Sequence, residues 1–352
     1  MKLMSMLKHK SGWLSNTGPM SDIVISSRIR IARNLNKIPF PHRANTQQQE
    51  ESFMLIEEAS RESSYLKKAV ILNFKDYDRV DRQFLMERHL ISYEHANGDG
   101  VRGVVVGDKE LISIMINEED HLRLQGMQSG LQLKEVWDVV EEIDNDIESR
   151  LVFAFSDEMG YLTACPTNTG TGLRASILVH LPALVLRNEI DRLLQMLGKL
   201  GIVTRGLYGE NTKVMGDMFQ ISNQVTLGPV EETIISKLES VGKRVVDSEL
   251  KSRNALYKED KTEFEDKVYR AYGLLRNVRR ISFQETMDLI SKIKLGIYLG
   301  LAIETSIDIL NELMIITQPS HLQEEFGERL QSNQRDVMRA DLIRKHIGDV
   351  VR

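Results

Sequence analysis

The stretch RGVVVGDKELISIMINEEDHLRLQ, residues 102–125, sets two apolar runs on either side of Gly107-Asp108-Lys109 and ends in a burst of charge. VVV and ISIMI are rich in β-branched residues, and a glycine-acid turn between two such runs predicts a β-hairpin. Behind it Asn117, Glu118, Glu119, Asp120, His121 and Arg123 crowd together. Three consecutive acids repel one another, and neither a helix nor a strand requires them. They read as a solvated turn, a metal site or part of a catalytic constellation. Two more pairs repeat the hairpin pattern: RLVFAF with YLTACP around residues 156–160, and GIVTRGLYGE with DMFQISNQVTLG across a longer loop. Three successive hairpins predict an antiparallel sheet.

Helices are expected between these pairs. Ser129 and Gln132 have capping-box spacing ahead of Leu133, Val136, Trp137, Val140, Ile143 and Ile147. PALVLRNEIDRLLQMLGKLG reads as one helix ended by a glycine. Beyond Gly228-Pro229 the texture turns helical, with Ile234, Leu238, Val241, Val245 and Leu250 on one stripe. Ser282 and Glu285 open a further helix through MDLISKIKLGIYLGLAI, and TSIDILNELMII and QRDVMRADLIRKHI supply two more. The expected division is an α/β domain over residues 1–235 and an all-helical one over 236–352.

A length of 352 residues suits two such domains. The net charge of -5 gives no case for nucleic acid or an anionic membrane as partner. A single cysteine, Cys165, excludes an internal disulfide and fits a reducing compartment. The start, MKLMSMLKHKSGWLS, has no apolar segment or small-residue cleavage site, so no signal peptide is expected. LPALVL and LGIYLGLAI fall far short of the ~20 apolar residues of a membrane span. A cytoplasmic location is expected.

Three further polar clusters accompany the NEEDH run. SSRIRIARN carries Arg28, Arg30 and Arg33, and on a strand Arg28 and Arg30 share a face. Two adjacent guanidiniums repel unless an anion or a carboxylate partner lies between them. CPTNTGTGLRAS, residues 165–176, is a loop of hydroxyls and glycines before Arg174. It lacks the Gly-Lys-Ser/Thr ending of a Walker A loop, and the G-x-G-x-x-G dinucleotide fingerprint is absent too. TRGLYGENT brackets a loop with Arg205 and Glu210. Each cluster alone could be a turn or a surface ion pair. Together Arg28, Arg30, Arg123, Arg174 and Arg205 form a set suited to phosphate oxygens, with Glu119 and Glu210 beside it for a cationic acceptor. Metal binding at NEEDH lacks ligand spacing, because adjacent side chains on an extended segment alternate sides.

In order and spacing, SSRIRIARN, NEEDHLRLQ, CPTNTGTGLRAS and RGLYGENT followed by GDMFQISNQVTLG resemble the characteristic blocks of the phosphagen (guanidino) kinases, such as arginine and creatine kinase. ERHLIS, with His89, is similar to that family's nucleotide-side histidine block. The resemblance covers roughly residues 20–230. It implies an α+β catalytic domain, an antiparallel β-sheet flanked by helices and related to the glutamine synthetase type. It implies ATP held by Ser27, Arg28, Arg30, Arg123, Arg174 and Arg205, Mg2+ bridging phosphate oxygens with no protein metal ligands, and His89 by the nucleoside. Glu119 and Glu210 would hold the acceptor guanidinium in line, and Glu119 would take its proton. Cys165 would touch the same group as a thiolate; the alternative is an inert core thiol.

Phosphagen kinases carry a helical domain before the first arginine block, whereas this chain reaches Arg28 almost at once and has its helical extension after residue 235. That arrangement is similar to the bacterial protein-arginine kinase branch. A free amino acid needs a closing loop to order it, so an open cleft suits an arginine displayed on a protein. QRDVMRADLIR resembles that branch's phosphoarginine-recognition segment, which implies Arg335 and Arg339 on phosphate and Asp336 on the guanidinium. The alternative is a solvated face opposite Val337, Met338, Leu342 and Ile343. KLGIYLGLAI is expected at a homodimer contact. The resemblance further implies protein substrates with exposed arginines, a zinc-binding activator McsA, a transcriptional repressor and a Clp-type protease system, in stress response and protein quality control. A free-guanidino kinase and a non-catalytic adaptor for ATP or phosphoarginine are the competing readings.

Overall fold

The computed structural model describes residues 11–206 and 214–348, together with Leu3. Its centre is an eight-stranded antiparallel sheet in the order β2-β3-β4-β5-β1-β8-β10-β9. The strands are β1 (Val24–Arg33), β2 (Val70–Asn73), β3 (Gly103–Val106), β4 (Ile112–Ile116), β5 (Leu122–Ser129), β8 (Leu173–His180), β9 (Ile202–Arg205) and β10 (Met218–Asn223). The first hairpin forms as expected, with Val104 opposite Met115 on β3 and β4. The third forms too, with Arg205 opposite Gln220 on β9 and β10. The second is smaller than expected. Only β6 (Phe155–Ser156) and β7 (Gly160–Tyr161) pair, and they make a two-stranded ribbon outside the main sheet.

Period-two alternation gives the sheet two different faces. Ile29, Ile31, Ile114, Leu124, Ala175, Ile177 and Ile221 point into one core. It is closed by α1 (Thr46–Glu62), α4 (Leu133–Glu148) and α7 (Glu231–Glu259), through Ile56, Val136, Val140, Leu238 and Val245. The opposite face is covered only at its ends. Over β3 and β4, Val104, Val106 and Met115 pack against Phe84 and Leu85 of α2 (Arg79–Glu87), which is followed by the short α3 (Tyr93–Asn97). Over the far end, Ile25, Met127, Leu178 and Met218 share a core with Ile290, Ile293, Leu310 and Ile343. Those belong to the helical segment: α8 (Lys261–Asn277), α9 (Phe283–Tyr298), α10 (Ile307–Ile316), α11 (Pro319–Phe326) and α12 (Ser332–Gly348). An open strip remains between the two covers.

Several local expectations yield to tertiary contacts. Ser129 is the last residue of β5, so it does not cap α4, whose N-cap is Gln132. The PALVL helix breaks into α5 (Pro182–Leu186) and α6 (Ile190–Lys199), with Asn188 left-handed at φ 57° between them. Glu249 on α7 accepts from the N–H groups of Ala183 and Leu184, which fixes the start of α5 against α7. Ser282 does cap α9, but that helix stops at Tyr298, short of LGLAI. Leu250 is 41% exposed although the rest of its stripe is buried. The expected boundary at residue 235 falls inside α7. Among the described residues no helix is long and apolar enough to cross a membrane.

Arg33, on the covered face of β1, is a structural residue rather than part of an anion site. Its Nε and Nη2 donate to Asp144 Oδ2 at 3.1 and 2.7 Å, and Nη1 donates to the Ala32 and Thr171 carbonyls. Its guanidinium lies 3.4 Å from the centroid of Tyr161. Removing one partner from a buried pair leaves an uncompensated charge. Asp144→Ala should therefore lower the unfolding free energy by about 3–5 kcal/mol in urea titrations; a loss below about 1 kcal/mol would contradict this reading.

Candidate active site

The open strip is lined by arginines. Arg30 stands directly opposite Arg174 across β1 and β8, Arg28 opposite Ser176, and Arg123 opposite Ala32. Arg205, at the end of β9, projects to the same face through its register with Gln220 and Leu178. Burial pushes the Arg28 guanidinium down to about 10, helped by the charges of Arg205, Arg123 and Arg174. Burial and the same kind of neighbours, Arg28 first, hold Arg30 well below its ordinary value. No carboxylate among the described residues pairs with Arg28 or Arg30; Arg28 Nε reaches only Ser176 Oγ at 3.4 Å, and Arg30 Nε is buried without a hydrogen-bond partner. Arg174 is oriented by Asn168 Oδ1 at 3.2 Å. Adjacent guanidiniums of this kind repel one another and suit an anion placed between them.

At its far end the strip becomes a cleft lined by Trp13, Arg28, His89, Met127, Leu178 and Gln220. Trp13 meets His89 edge to face, 5.1 Å between ring centroids. His89 is left-handed at φ 60°, and its carbonyl accepts from Gln125 Nε2 at 2.7 Å. Burial, then the charge of Arg28, pushes His89 down to about 3, so its ring is neutral. Flat, uncharged walls next to a cationic strip suit a nucleoside joined to phosphates. Trp13 and Leu178 did not stand out in the sequence. Met127 and Leu178 could have, since they continue the two-residue alternation of Arg123 and Arg174.

The NEEDH run is the turn between β4 and β5, closed by Asn117 N–H to His121 O at 2.9 Å. Most of it is internal. The Asn117 amide is used by Ser52, Gln49 and Val101, and His121 is held between Leu35 N–H and Pro39 O. Buried Asp120 accepts from Asn34 Nδ2 at 2.6 Å and from Ala164 N–H at 2.7 Å, which ties the turn to the start of the CPTN loop. Glu118, nearly buried, accepts from the Ser92 hydroxyl and binds Arg123 Nη1 at 2.6 Å. Only Glu119 is open to solvent, its side chain 47% exposed and 3.2 Å from Arg123 Nη2. Burial raises the Glu119 carboxyl, and Asp120 and Glu118 add to this against the pull of Arg123. Burial works to raise Glu118 as well, but Arg123 and Ser92 outweigh it and leave that carboxyl below its usual range.

Arg123 therefore faces three acids and joins the turn to the arginine strip. Cys165 is partly exposed, its Sγ 3.0 Å from Thr167 Oγ1. Its loop is braced by Thr226 Oγ1, which donates to the Thr167 and Thr169 carbonyls. Gly170 is left-handed at φ 111° and passes so close to this brace that a Cβ would lie 2.5 Å from Thr226 O. Glu210 lies outside the described residues.

Two expected groups take other roles. Ser27 points to the covered face, where its buried hydroxyl donates to Gly130 O and accepts from Gln132 N–H; it is a turn brace and does not join the arginine strip. Arg339 is 2% exposed and its guanidinium is consumed by Thr317 O, Ile281 O and Asp336 Oδ1, which removes it from any ligand pocket. Arg335 donates to Leu330 O from a partly exposed position. In KLGIYLGLAI, expected at a dimer contact, Lys294, Leu295 and Gly296 are buried, with Leu295 on Phe264 and Val268 of α8, while residues 297–303 are partly or fully exposed. Among the described residues no group of three or more His, Cys, Asp or Glu side chains converges as a metal site.

Arg28 and Arg30, with no carboxylate on them among the described residues, give a direct expectation. Tripolyphosphate should raise the thermal midpoint of the protein. Arg30→Met should stabilise the anion-free protein by on the order of 1 kcal/mol and blunt the response to tripolyphosphate. Equal responses of the two proteins would rule out the strip as an anion site.

Residues 51–252 match the family described as ATP:guanido phosphotransferase, C-terminal catalytic domain. Residues 261–352 match the protein-arginine kinase McsB C-terminal domain. The chain is 47% identical over 342 residues to a protein-arginine kinase of Symbiobacterium thermophilum, covering 96% of this chain and 97% of that one. It is 43% identical to the protein-arginine kinase of Bacillus subtilis, covering 96% of this chain and 93% of the relative. Among solved structures, a lombricine kinase aligns with TM-score 0.58 and 25% identity over 69% of both chains. The duplicated taurocyamine kinase of Schistosoma mansoni, with bound transition-state analogue components, aligns with TM-score 0.59 and 27% identity over 68% of this chain and 34% of that one. An arginine-lined strip on an antiparallel sheet, with a single exposed acid at its edge, is thus joined by sequence matches over almost the whole length: the chain belongs to the ATP:guanido phosphotransferases, and within them to the protein-arginine kinases.

Proposed function

We propose that the protein transfers the γ-phosphoryl group of ATP to arginine side chains of proteins, with chemistry at the junction of the arginine strip and the NEEDH turn. The observation that carries this reading is the exposure of Glu119 alone among three adjacent acids, 3.2 Å from an arginine at the end of the strip. Arg28, Arg30 and Arg174 hold the phosphates, with Arg205 and the clamped Arg123 at the two ends. Bidentate guanidiniums fixed on strands neutralise developing charge without reorganising, which is the principal demand of phosphoryl transfer. The nucleoside lies in the cleft of Trp13 and His89. Mg2+ would accompany ATP and would supply further neutralisation of phosphate charge beside Arg28, Arg30 and Arg174.

The acceptor guanidinium sits against Glu119, Glu210 and the Cys165 sulfur. A guanidino nitrogen attacks the γ-phosphorus, the bond to the β–γ bridging oxygen breaks, and ADP leaves with that electron pair. One guanidinium proton passes to Glu119. Asp120, through Ala164, keeps the Cys165 loop in register with this base. A raised carboxyl is a better proton acceptor than an ordinary one.

The same reading extends to Arg335 and Asp336 as the remaining phosphoarginine-recognition pair of α12, with Arg339 as their strut. Family membership is the support for the wider setting: a homodimer in the cytoplasm, acting in stress response with a zinc-binding activator, a transcriptional repressor and a Clp-type protease system.

Incubation with Mg-ATP and casein should place acid-labile phosphate on protein arginines; label on free arginine alone would overturn the reading. Glu119→Ala should lower turnover by about 10²–10⁴-fold while ATP affinity changes less than about twofold. Because the base works only when ionised, turnover should fall as pH drops through the raised Glu119 value, earlier than for an ordinary glutamate. Glu119→Gln should abolish that acid limb, and a limb unchanged in the variant would assign it elsewhere.

A further inference from the structure

We infer that Glu87 is a positioning residue for the nucleotide cleft and acts by locking the first turn of α11, in the C-terminal helical segment, onto the residues that carry His89. The inference rests on the reading of His89 and Trp13 as the nucleoside walls.

Glu87 ends α2 and is 2% exposed. Its carboxylate accepts from the Ser320 N–H at 2.9 Å, the His321 N–H at 3.1 Å and the His321 Nδ1–H at 2.9 Å. Its main-chain carbonyl accepts from Gln318 Nε2 at 3.2 Å. These donors are the opening turn of α11, where N–H groups have no partner inside the helix and the dipole favours a negative charge. The neighbouring cation does not share this charge. Arg88 turns away to Glu110, with Nη2 at 2.7 Å, and to Ser11 Oγ at 3.1 Å. The helix end, with the charge of Arg339 behind it, thus compensates a buried carboxylate.

Three consecutive residues then bind three different parts of the molecule. Glu87 holds α11. Arg88, with Glu110, holds Ser11 at the head of the Gly12–Leu14 turn that carries Trp13. His89 takes its left-handed turn into the cleft against that same Trp13. On the far side, Thr317, just before α11, receives Arg339 Nε at 2.7 Å, and Arg339 is braced by Asp336. A chain of directional contacts therefore runs from α12 through α11 to the cleft wall. An apolar contact would close the same gap with less desolvation cost, but it would not fix the turn to hydrogen-bond geometry. Nucleotide affinity accordingly depends on how the C-terminal helices are docked.

The test measures Mg-ADP affinity by calorimetry on the full chain, at temperatures well below each variant's unfolding midpoint. A lost hydrogen bond to a charged group reaches about 1.5–3 kcal/mol, so Glu87→Gln should weaken Mg-ADP about tenfold or more. Turnover at saturating ATP and KM for casein should change less than about twofold. His321→Ala, which removes one donor, should give the same pattern at about a third of the size in free energy. It decides the matter if Glu87→Gln does not fold. A folded Glu87→Gln or, failing that, His321→Ala with unchanged Mg-ADP affinity would overturn the inference, as would a loss of turnover equal to the loss of affinity. His89→Ala separates the two layers. Weakened Mg-ADP in that variant with none in Glu87→Gln overturns the Glu87 inference alone. Unchanged Mg-ADP in His89→Ala overturns the nucleoside reading together with it.

Discussion

Arg30 and Arg174 face each other across β1 and β8, and the mutual repulsion of these and the neighbouring arginines is the constraint around which the rest of the molecule is arranged. Directly opposed side chains on antiparallel strands have Cβ atoms about 5 Å apart, so two guanidiniums carried there are close enough to repel. The reverse side of the same strands offsets this. Ile29, Ile31, Ala175 and Ile177 are buried to the last atom beneath α4 and α7. The core holds the arginines in place against that repulsion. Rigid strands also suit the chemistry, since donors already in place need not reorganise as charge develops.

The NEEDH turn resolves a second conflict between like charges. Three adjacent acids are separated by giving each a different environment. Glu118 is neutralised by Arg123 and Ser92, Asp120 is buried on Asn34 and the Ala164 N–H, and Glu119 is left at the surface. Two of the acids thereby build the frame, and their repulsion is part of what raises the third. The proposed base role of Glu119 rests on that unequal sharing of partners. The charge count alone would not produce it.

The β3–β4 and β9–β10 pairings were readable in the sequence because alternation is local. So was the common face of Arg28 and Arg30. The pairing of β1 between β5 and β8 brings together residues separated by about a hundred and fifty positions or fewer in sequence, and no local pattern specifies it. Local rules failed where a distant side chain overrode them. Ser129 was drawn into β5, and Arg339 was spent on carbonyls of neighbouring segments. Ser27 failed for a simpler reason: a one-residue step along a strand turns a side chain to the other face. The arginines and Glu119 carried a strong motif signal, whereas Trp13 lay in a stretch with no periodicity to mark it.

The central claim is the proposal that the arginine strip is an anion site built in advance, with Arg123 committed to acids and Arg28, Arg30 and Arg174 as the phosphate-binding arginines. Side-chain NMR of protein labelled with 15N-arginine, titrated with Mg-ATP, tests it most directly. The Nε–H signals of Arg28, Arg30 and Arg174 should shift and slow in exchange on binding, while Arg123 should already be protected before nucleotide is added. Site arginines that stay unmoved at saturating Mg-ATP, with shifts confined to other arginines, would contradict the account.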